Sequence, residues 1–515
     1  MKNLPIGIQS LVEIRNLNGI YVDKTEFVHT LVTTGKYYFL SRPRRFGKSL
    51  LISTLKELFK GNKKLFEDLW IEPKWDWSQT SPVIHISFDA VDYTTQTLAN
   101  ALLLIINQRA KSYGIRLKTT GFKQRFQELL LNLAQKQGRV VLLIDEYNKP
   151  IIDYLEKSKI EQAKINRDTL RDFYSVLKSA DEQLRFVFIT GISKFSRVSL
   201  FSHLNNLEDI TMSPQFSAIV GYTQTELEVY FDDYLQAIEQ KLAISREALL
   251  EKMKVWYNGY SWDGVTRMYN PFGTLNFLKK KTFTNFWFAT GNPKFLIEQM
   301  REKVFYNIEN QTVNGIIFEK FDIENIELTS LLFQTGYLTV KELGERDDYY
   351  VLDYPNHEVR ESMYQFLIDD LAKNIHRGDS GLTMIDLKKA FLERDTEQVR
   401  EILNGILADL PNEAFLKQTE GLFHGLVHII FNYLGIFIKS EVQSSRGRAD
   451  AVVETPTDVF IFEFKINKTA AEAMTQIQGK KYADKYRASK KTLNGIAFNY
   501  NSTERCIDEW EEKTL

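Results

Sequence analysis

The sequence predicts an α/β chain with a parallel sheet and a phosphate-binding loop in its N-terminal part, a helical middle, and a separate α/β domain in its C-terminal part. Three observations carry that reading. The first is Ser41-Arg42-Pro43-Arg44-Arg45-Phe46-Gly47-Lys48-Ser49, which follows the apolar run 37–40 and opens an amphipathic segment. The second is Arg139-Val140-Val141-Leu142-Leu143-Ile144-Asp145-Glu146, an unbroken apolar run that ends in two acids. The third is Asp450 followed by Phe460-Ile461-Phe462-Glu463-Phe464-Lys465.

Composition sets the outer limits. The chain has 515 residues, of which 43% are apolar, with 35 Phe and 24 Tyr. That is enough for large cores and for roughly three or four domains. The boundaries expected are 1–220 for the phosphate-loop domain, 221–360 for a helical and winged-helix lid, 361–410 for a helical spacer and 411–515 for the C-terminal domain. No apolar run approaches the ~18 residues that span a bilayer, and Met1-Lys2-Asn3-Leu4-Pro5 lacks a signal-peptide apolar region, so a cytoplasmic chain with no membrane partner is expected. The single cysteine, Cys506, excludes an internal disulfide framework and a cysteine-rich zinc site. With a net charge of −1, contact with nucleic acid has to come from a local basic patch.

Before the loop, Ile20-Tyr21-Val22-Asp23-Lys24-Thr25 reads as a strand-like run leading into a helix to about Thr33, with charges that can be solvated. In the loop itself, backbone N–H groups and the positive end of a helix would cradle the phosphates of ATP. Lys48 would reach the β and γ oxygens and the Ser49 hydroxyl would ligate Mg²⁺. Leu51, Leu55, Leu58 and Phe59 keep helical spacing after it, and Gly61 stands where a helix ends. Arg42 occupies the position where such loops begin with glycine, and Pro43 removes a backbone donor. Arg44 and Arg45 can replace the lost contact with charge-assisted ones. The nucleotide contacts expected are therefore Arg44, Arg45, Phe46, Gly47, Lys48, Ser49 and Leu50.

The run 82–89 reads as a second strand, in which His85 is a packed residue. The run 140–144 has the composition of a strand buried on both faces of a parallel sheet. It would deliver Asp145 to the Mg²⁺ shell and Glu146 to the water that attacks the γ-phosphate. A third strand, 184–189, ends at Thr190, which is placed either to sense the γ-phosphate or to satisfy a strand end. Further on, Thr223-Gln224-Thr225-Glu226 is a capping box and Asn270-Pro271 a second helix start. The strand-like pieces at 336–340 and 349–352 suit a winged-helix lid.

Together Tyr21-Val22-Asp23-Lys24-Thr25, Arg42-Pro43-Arg44-Arg45-Phe46-Gly47-Lys48-Ser49, Ile144-Asp145-Glu146-Tyr147, Gly221-Tyr222-Thr223 and Tyr257-Asn258-Gly259-Tyr260 resemble the AAA-ATPase-like proteins that end in a PD-(D/E)XK nuclease domain. The resemblance covers nearly the whole chain and implies a bacterial protein with a C-terminal restriction-endonuclease-like fold. In that family the acid strand usually continues Asp-Glu-Tyr-Asp-Lys-Pro; here Asn148 replaces the second Asp. The family's architecture points to defence against phage or to mobile-element biology.

In the C-terminal part, residues two apart on a strand share a face, so Glu463 and Lys465 project together while Phe460, Phe462 and Phe464 pack opposite. Asp450 and Glu463 are hard oxygen ligands for Mg²⁺ or Mn²⁺, and they would repel each other without a metal. Lys465 orients the nucleophile or neutralises developing charge. Glu420, which shares a helix face with His424, matches the additional acid ligand of many such nucleases. Gln478 and Tyr482, with Gln476 near them, resemble the Gln-X-X-X-Tyr element that supports the metal site. Lys480, Lys481, Lys485, Arg487, Lys490 and Lys491 form either a solvated face or a phosphate-contacting surface.

Two functions follow. One is an ATP-controlled, metal-dependent nuclease with DNA favoured over RNA; the other is a nucleotide switch whose nuclease-like domain only recognises its partner. Either is compatible with a homo-oligomer.

Overall fold

The computed structural model describes residues 1–192, 200–201, 204, 206–287, 294–303, 305, 308–318, 327–344, 348–371, 380–408, 427, 429–435, 439–442, 450–480 and 482–515. The chain forms two compact units, one of residues 1–291 with 309–359, the other of 292–308 with 360–515. The boundary expected near 220 lies inside the first unit. No helix among the described residues is long and apolar enough to cross a membrane.

The first unit is built on a five-stranded parallel sheet. Its elements are α1 (Leu11–Asn16), α2 (Thr25–Thr34), β1 (Tyr37–Ser41), α3 (Lys48–Phe59), β2 (Val83–Ser87), α4 (Leu98–Ser112), α5 (Phe122–Gln137), β3 (Val140–Asp145), α6 (Lys149–Ile152), α7 (Ile160–Ser179), β4 (Leu184–Gly191) and β5 (Glu208–Asp209). The strand order is β2-β3-β4-β1-β5. Every residue of β1 and of β3 is buried, as their near-continuous apolar sequences require of strands covered on both faces. The chain leaves β1 for β2 at the far edge of the sheet, so the carboxyl end of β1 is a topological switch point, where open α/β sheets take their ligands. Strand β4 lies between β1 and β3, with Thr190 opposite Leu40.

The apolar positions of α3 behave as their spacing predicts: Leu51, Leu55, Leu58 and Phe59 are all buried. Gly61, in left-handed backbone at φ +75°, follows its end. The segment 20–24 is not a strand; only α2 follows as expected. A helical layer of Gln224–Tyr230, Asp232–Leu242, Arg246–Tyr257 and Pro271–Lys280 continues the unit. Thr223 and Glu226 form the expected capping box, and Asn270 Oδ1 accepts from the N–H groups of Phe272 and Gly273 ahead of Pro271. A three-stranded antiparallel sheet of β6 (Gln311–Val313), β7 (Thr339–Leu343) and β8 (Tyr350–Asp353) completes it, with the helix Leu328–Thr335 before β7.

The second unit holds a mixed five-stranded sheet in the order β13-β12-β11-β10-β9. These are β9 (Lys439–Val442), β10 (Ala451–Glu454), β11 (Asp458–Ile466), β12 (Thr492–Asn501) and β13 (Cys506–Thr514). Only β11 and β12 run parallel. The helix Ala470–Gly479 connects them, packing Ala473, Met474 and Ile477 on Val459 and Ile461. The expected spacer is helical over Ser380–Glu393 and Thr396–Ala408, but it is not detached. Phe391 packs against Phe460 and Phe462, and Arg394 pairs with the buried Asp458 at 2.8 Å.

Candidate nucleotide and phosphodiester sites

The phosphate loop turns through Arg45 at φ +68° and Gly47 at φ +99° before α3 begins at Lys48. At Gly47 a Cβ would meet nothing within 4 Å, so the left-handed backbone, not space, is what requires glycine. Lys48 is buried; its ammonium donates to the carbonyls of Arg42 at 3.0 Å and Pro43 at 3.2 Å and stands 3.4 Å from Glu146 Oε1. Across from it, Asp145 is 4% exposed. Burial first, then the Glu146 charge, pushes the Asp145 carboxyl up to about 6, against a hydrogen bond from Ser49 and the charge of Lys48. Glu146 itself sits in left-handed backbone at φ +52°. Strain of that kind costs on the order of 1–3 kcal/mol and persists only where neighbours fix it. Here the next residue, Tyr147, is fully buried against Phe39, and its N–H donates to the Thr190 carbonyl at 3.0 Å.

A cavity of about 370 Å³ opens over this loop, lined by residues 44–51 and by Glu146. Asp145 and Thr190 are buried and are not among its lining residues. Asp145 Oδ1, Glu146 Oε2 and Thr190 Oγ1 are buried with no hydrogen-bond partner among the described residues. Unanswered oxygens of that kind fit a bound cation and phosphate. Asp89, exposed beyond the end of β2, lines the cavity and adds negative charge to the Asp145 environment. His85 is held down near 4 by burial and then by the cations of Lys56, Arg109 and Lys60, in keeping with a packed strand residue.

The back of the loop departs from expectation. Arg42 is fully buried and donates to the carbonyls of Ser41, Thr211 and Phe216. Its guanidinium lies 3.9 Å from the Trp262 ring centroid, and burial lowers its pKa to about 9. The residue at the first glycine position is thus a structural brace. Phe46 lines the cavity yet is 1% exposed, with ring centroids 4.8 Å from Tyr260 and 5.4 Å from Trp262. Its side chain anchors the loop, at about 1 kcal/mol per aromatic pair. A Cβ at Gly336 would stand 2.6 Å from that of Pro43, and Trp287 donates to the Arg44 carbonyl at 3.1 Å. Arg44 and Arg45 are exposed and line the cavity, Arg45 lying over Phe272.

Part of the cavity's lining is apolar and was not foreseen. Pro5, Ile8, Ile20, Val22, Val220, Tyr222, Pro271 and Leu275 form it, drawn from stretches far apart in the chain. Asp23 and Lys24 are not solvated. The Asp23 carboxylate accepts from Thr25 and from the Trp70 N–H, and Lys24 pairs with Glu226. A charged pair set directly after the buried Ile20 and Val22 was the available signal.

In the second unit, the Asp450 N–H donates to the Phe462 carbonyl at 3.0 Å, and its Oδ2 accepts from the Phe464 N–H at 3.0 Å. This hairpin pairing places Asp450 beside Glu463, which is 2% exposed. Burial and then the Asp450 charge push the Glu463 carboxyl up to about 7, against Lys465. Lys465 Nζ donates to Glu463 Oε1 at 3.2 Å and to Gln476 Oε1 at 2.8 Å, and Gln476 donates to the Tyr482 hydroxyl at 3.3 Å. Glu463 Oε2 is buried with no hydrogen-bond partner among the described residues, which fits a metal-binding carboxylate.

The expected Gln-X-X-X-Tyr spacing does not place Gln478 in this chain of bonds. The helix ends at Gly479, and Gln478 is exposed on it. Phe460 and Phe462 pack together on Phe391, while Phe464 stacks on Phe498. Glu420, His424 and Lys481 lie outside the described residues. Among the described residues no group of three or more His, Cys, Asp or Glu side chains is placed to hold a metal. In the basic stretch, Arg487 pairs with Asp484 and Lys491 with Glu454, and Lys480 is exposed.

These two constellations define a chain that joins a phosphate-loop domain to an acid-and-lysine domain. Residues 5–201 match the predicted AAA-ATPase family model and residues 418–510 that of the PD-(D/E)XK nuclease superfamily. An uncharacterized protein in the vnfD 5′ region of Azotobacter chroococcum mcd 1 is 36% identical over 523 positions, covering 98% of each chain. The chain belongs to the family of AAA-ATPase-like proteins with a C-terminal PD-(D/E)XK nuclease superfamily domain. Among solved structures, the Aeropyrum pernix ORC2 protein in ADPNP and ADP complexes aligns with 67% of this chain and 91% of its own, at 11% identity and a TM-score of 0.31. The Aeropyrum pernix ORC1 protein in complex with DNA aligns with 66% and 90%, at 8% identity and a TM-score of 0.24.

Proposed function

We propose that the chain is an ATP-dependent nuclease, in which nucleotide bound in the first unit controls a metal-dependent phosphodiesterase in the second. The observation that carries the reading is the buried Glu463 beside the half-buried Asp450, with Lys465 hydrogen-bonded to Glu463. A carboxylate buried as Glu463 is, with a second carboxylate beside it, is costly to keep unless it binds something, because burial and the Asp450 charge both oppose its own. A divalent ion bound by Asp450 and Glu463 would polarise the scissile phosphate and acidify a water. Gln476 holds the Lys465 ammonium toward Glu463, where it can steady the attacking oxygen or offset charge on the phosphate.

In the first unit Lys48 and the N–H groups of the loop bind the phosphates, and Ser49 and Asp145 would hold their Mg²⁺. Glu146, its backbone fixed by Tyr147, takes the proton of the attacking water. We read the sheet β6-β8-β7, with the helix Leu328–Thr335 between β6 and β7, as a winged-helix lid. Nucleic acid is the substrate class, with DNA favoured.

Purified protein should be incubated with single- and double-stranded DNA and RNA, with Mg²⁺ or Mn²⁺, with and without ATP. Degradation that needs metal and changes with ATP supports the reading. A protein that degrades none of them yet binds nucleic acid only with ATP is a switch with a recognition domain, and the nuclease reading falls.

A further inference from the structure

The N-terminal segment is part of the helical layer's core. Ile20 and Val22 are buried in one cluster with Leu227, Phe231 and Leu235, and Leu4 and Ile6 pack against it. Two of the stretches that supply the cavity's apolar lining are therefore packed together, the N-terminal segment and the approach to the helix Gln224–Tyr230. Lys24 lines the cavity and is 8% exposed, and its ammonium donates to both carboxylate oxygens of Glu226, at 2.5 and 2.7 Å. The same carboxylate accepts from the Thr223 N–H at 2.8 Å, so it caps the helix just after Gly221 and Tyr222, which line the cavity. Beside it, the Asp23 N–H donates to the Tyr230 hydroxyl at 3.3 Å, and Asp23 Oδ2 accepts from the Trp70 N–H at 2.7 Å.

Apolar contact alone lets two surfaces slide, since it is not directional. A buried ion pair adds little net stability but fixes a geometry, because any displaced arrangement strands a charge away from water. Lys24 and Glu226 are 202 residues apart in sequence, and their pair sits where the two walls meet. Neither residue belongs to the phosphate loop.

We propose that Lys24 and Glu226 are positioning residues for the nucleoside half of a bound nucleotide. Their pair sets the separation of the N-terminal segment and the helical layer, and with it the slot that admits a base. The proposal rests on the nucleotide reading of the cavity given above.

The test is calorimetric binding of ATP and of inorganic tripolyphosphate to the full chain, with Mg²⁺, for wild type, Lys24→Met, Glu226→Gln and the exchanged pair Lys24→Glu with Glu226→Lys. Each single variant should lose about tenfold or more in ATP affinity. Tripolyphosphate affinity should stay within about twofold, and the exchanged pair should recover part of the ATP loss. Thermal melting checks the fold, and Lys24→Arg, which keeps the charge, should stay near wild type for both ligands. Single variants that bind ATP like wild type overturn the proposal. So do parallel losses for ATP and tripolyphosphate, which mark a merely structural pair. If wild type binds neither ligand, the nucleotide reading itself fails and the proposal falls with it.

Discussion

Lys48 Nζ stands 3.4 Å from Glu146 Oε1 while donating to the carbonyls of Arg42 and Pro43, so one ammonium ties the acid strand to the loop ahead of its own helix. Lys48→Ala should weaken ATP binding by roughly a hundredfold, about 3 kcal/mol, because the ammonium is the main point charge for the β and γ phosphates. Glu146→Gln should keep binding and lower turnover by roughly 10²–10⁴, since it removes the base and spares the cradle. Calorimetry with a phosphate-release assay reads both. A Lys48→Ala protein that binds ATP like wild type means the loop is not the nucleotide site.

The arginines of the loop should separate by role. Arg42→Ala removes donors from three buried carbonyls and a contact with Trp262, so it should cost about 3 kcal/mol or more of stability in denaturant melts. Arg44→Ala and Arg45→Ala, at exposed positions on the cavity, should leave stability within about 0.5 kcal/mol and weaken ATP more than ADP. Equal losses for ATP and ADP would take both side chains away from the γ-phosphate.

At the second site, Asp450→Ala and Lys465→Ala should each abolish nucleic-acid cleavage and leave ATP hydrolysis nearly intact. Their causes differ. Without Asp450 divalent-ion binding weakens, whereas without Lys465 both acids remain and the chemical step fails. Gln476→Ala should be milder than either, with about tenfold lower cleavage, because Lys465 loses its acceptor at 2.8 Å. Metal titration followed by single-turnover cleavage distinguishes the cases.

His85 gives a pH dependence that involves no site residue. Its folded pKa is lowered to about 4, so between about 6.5 and 4 the unfolded chain binds a proton that the folded chain does not. The stability linked to His85 is complete above that window and is lost as pH falls through it, at a slope approaching roughly 1.4 kcal/mol per pH unit. Denaturant melts of wild type and His85→Asn at pH 7 and pH 5 should diverge less at pH 5. A constant difference would mean that His85 takes up its proton as readily in the fold as in the unfolded chain.

The parts of the sites that were legible in the sequence are local ones. Gly47, Lys48 and Ser49, the strand that ends at Asp145 and Glu146, and the pair Glu463 and Lys465 each declare themselves within a few residues, through strand or helix periodicity next to charge. What stayed hidden depends on contact between distant stretches. Arg42 reads as a defective loop until Thr211, Phe216 and Trp262 are seen around it. Lys24 reads as solvated until Glu226 is found 2.5 Å away. Gln478 has the right spacing for Tyr482, but the helix stops at Gly479 and turns Gln476 to that role. Periodicity can follow a helix and does not say where it ends.

The packing behind the loop also has a consequence for biosynthesis. Phe46 rests on Tyr260 and Trp262, and Pro43 lies against Gly336, so the loop lacks its backing while the nascent chain is still shorter than that. At the usual 5–20 residues per second, Gly336 leaves the ribosome on the order of ten seconds to a minute after Gly47. Through that interval the β-strands of the first sheet can pair while Phe46 and the neighbouring apolar surface stay uncovered. The apolar face of Phe46 is therefore left uncovered on the nascent chain until its distal aromatic partners have been made.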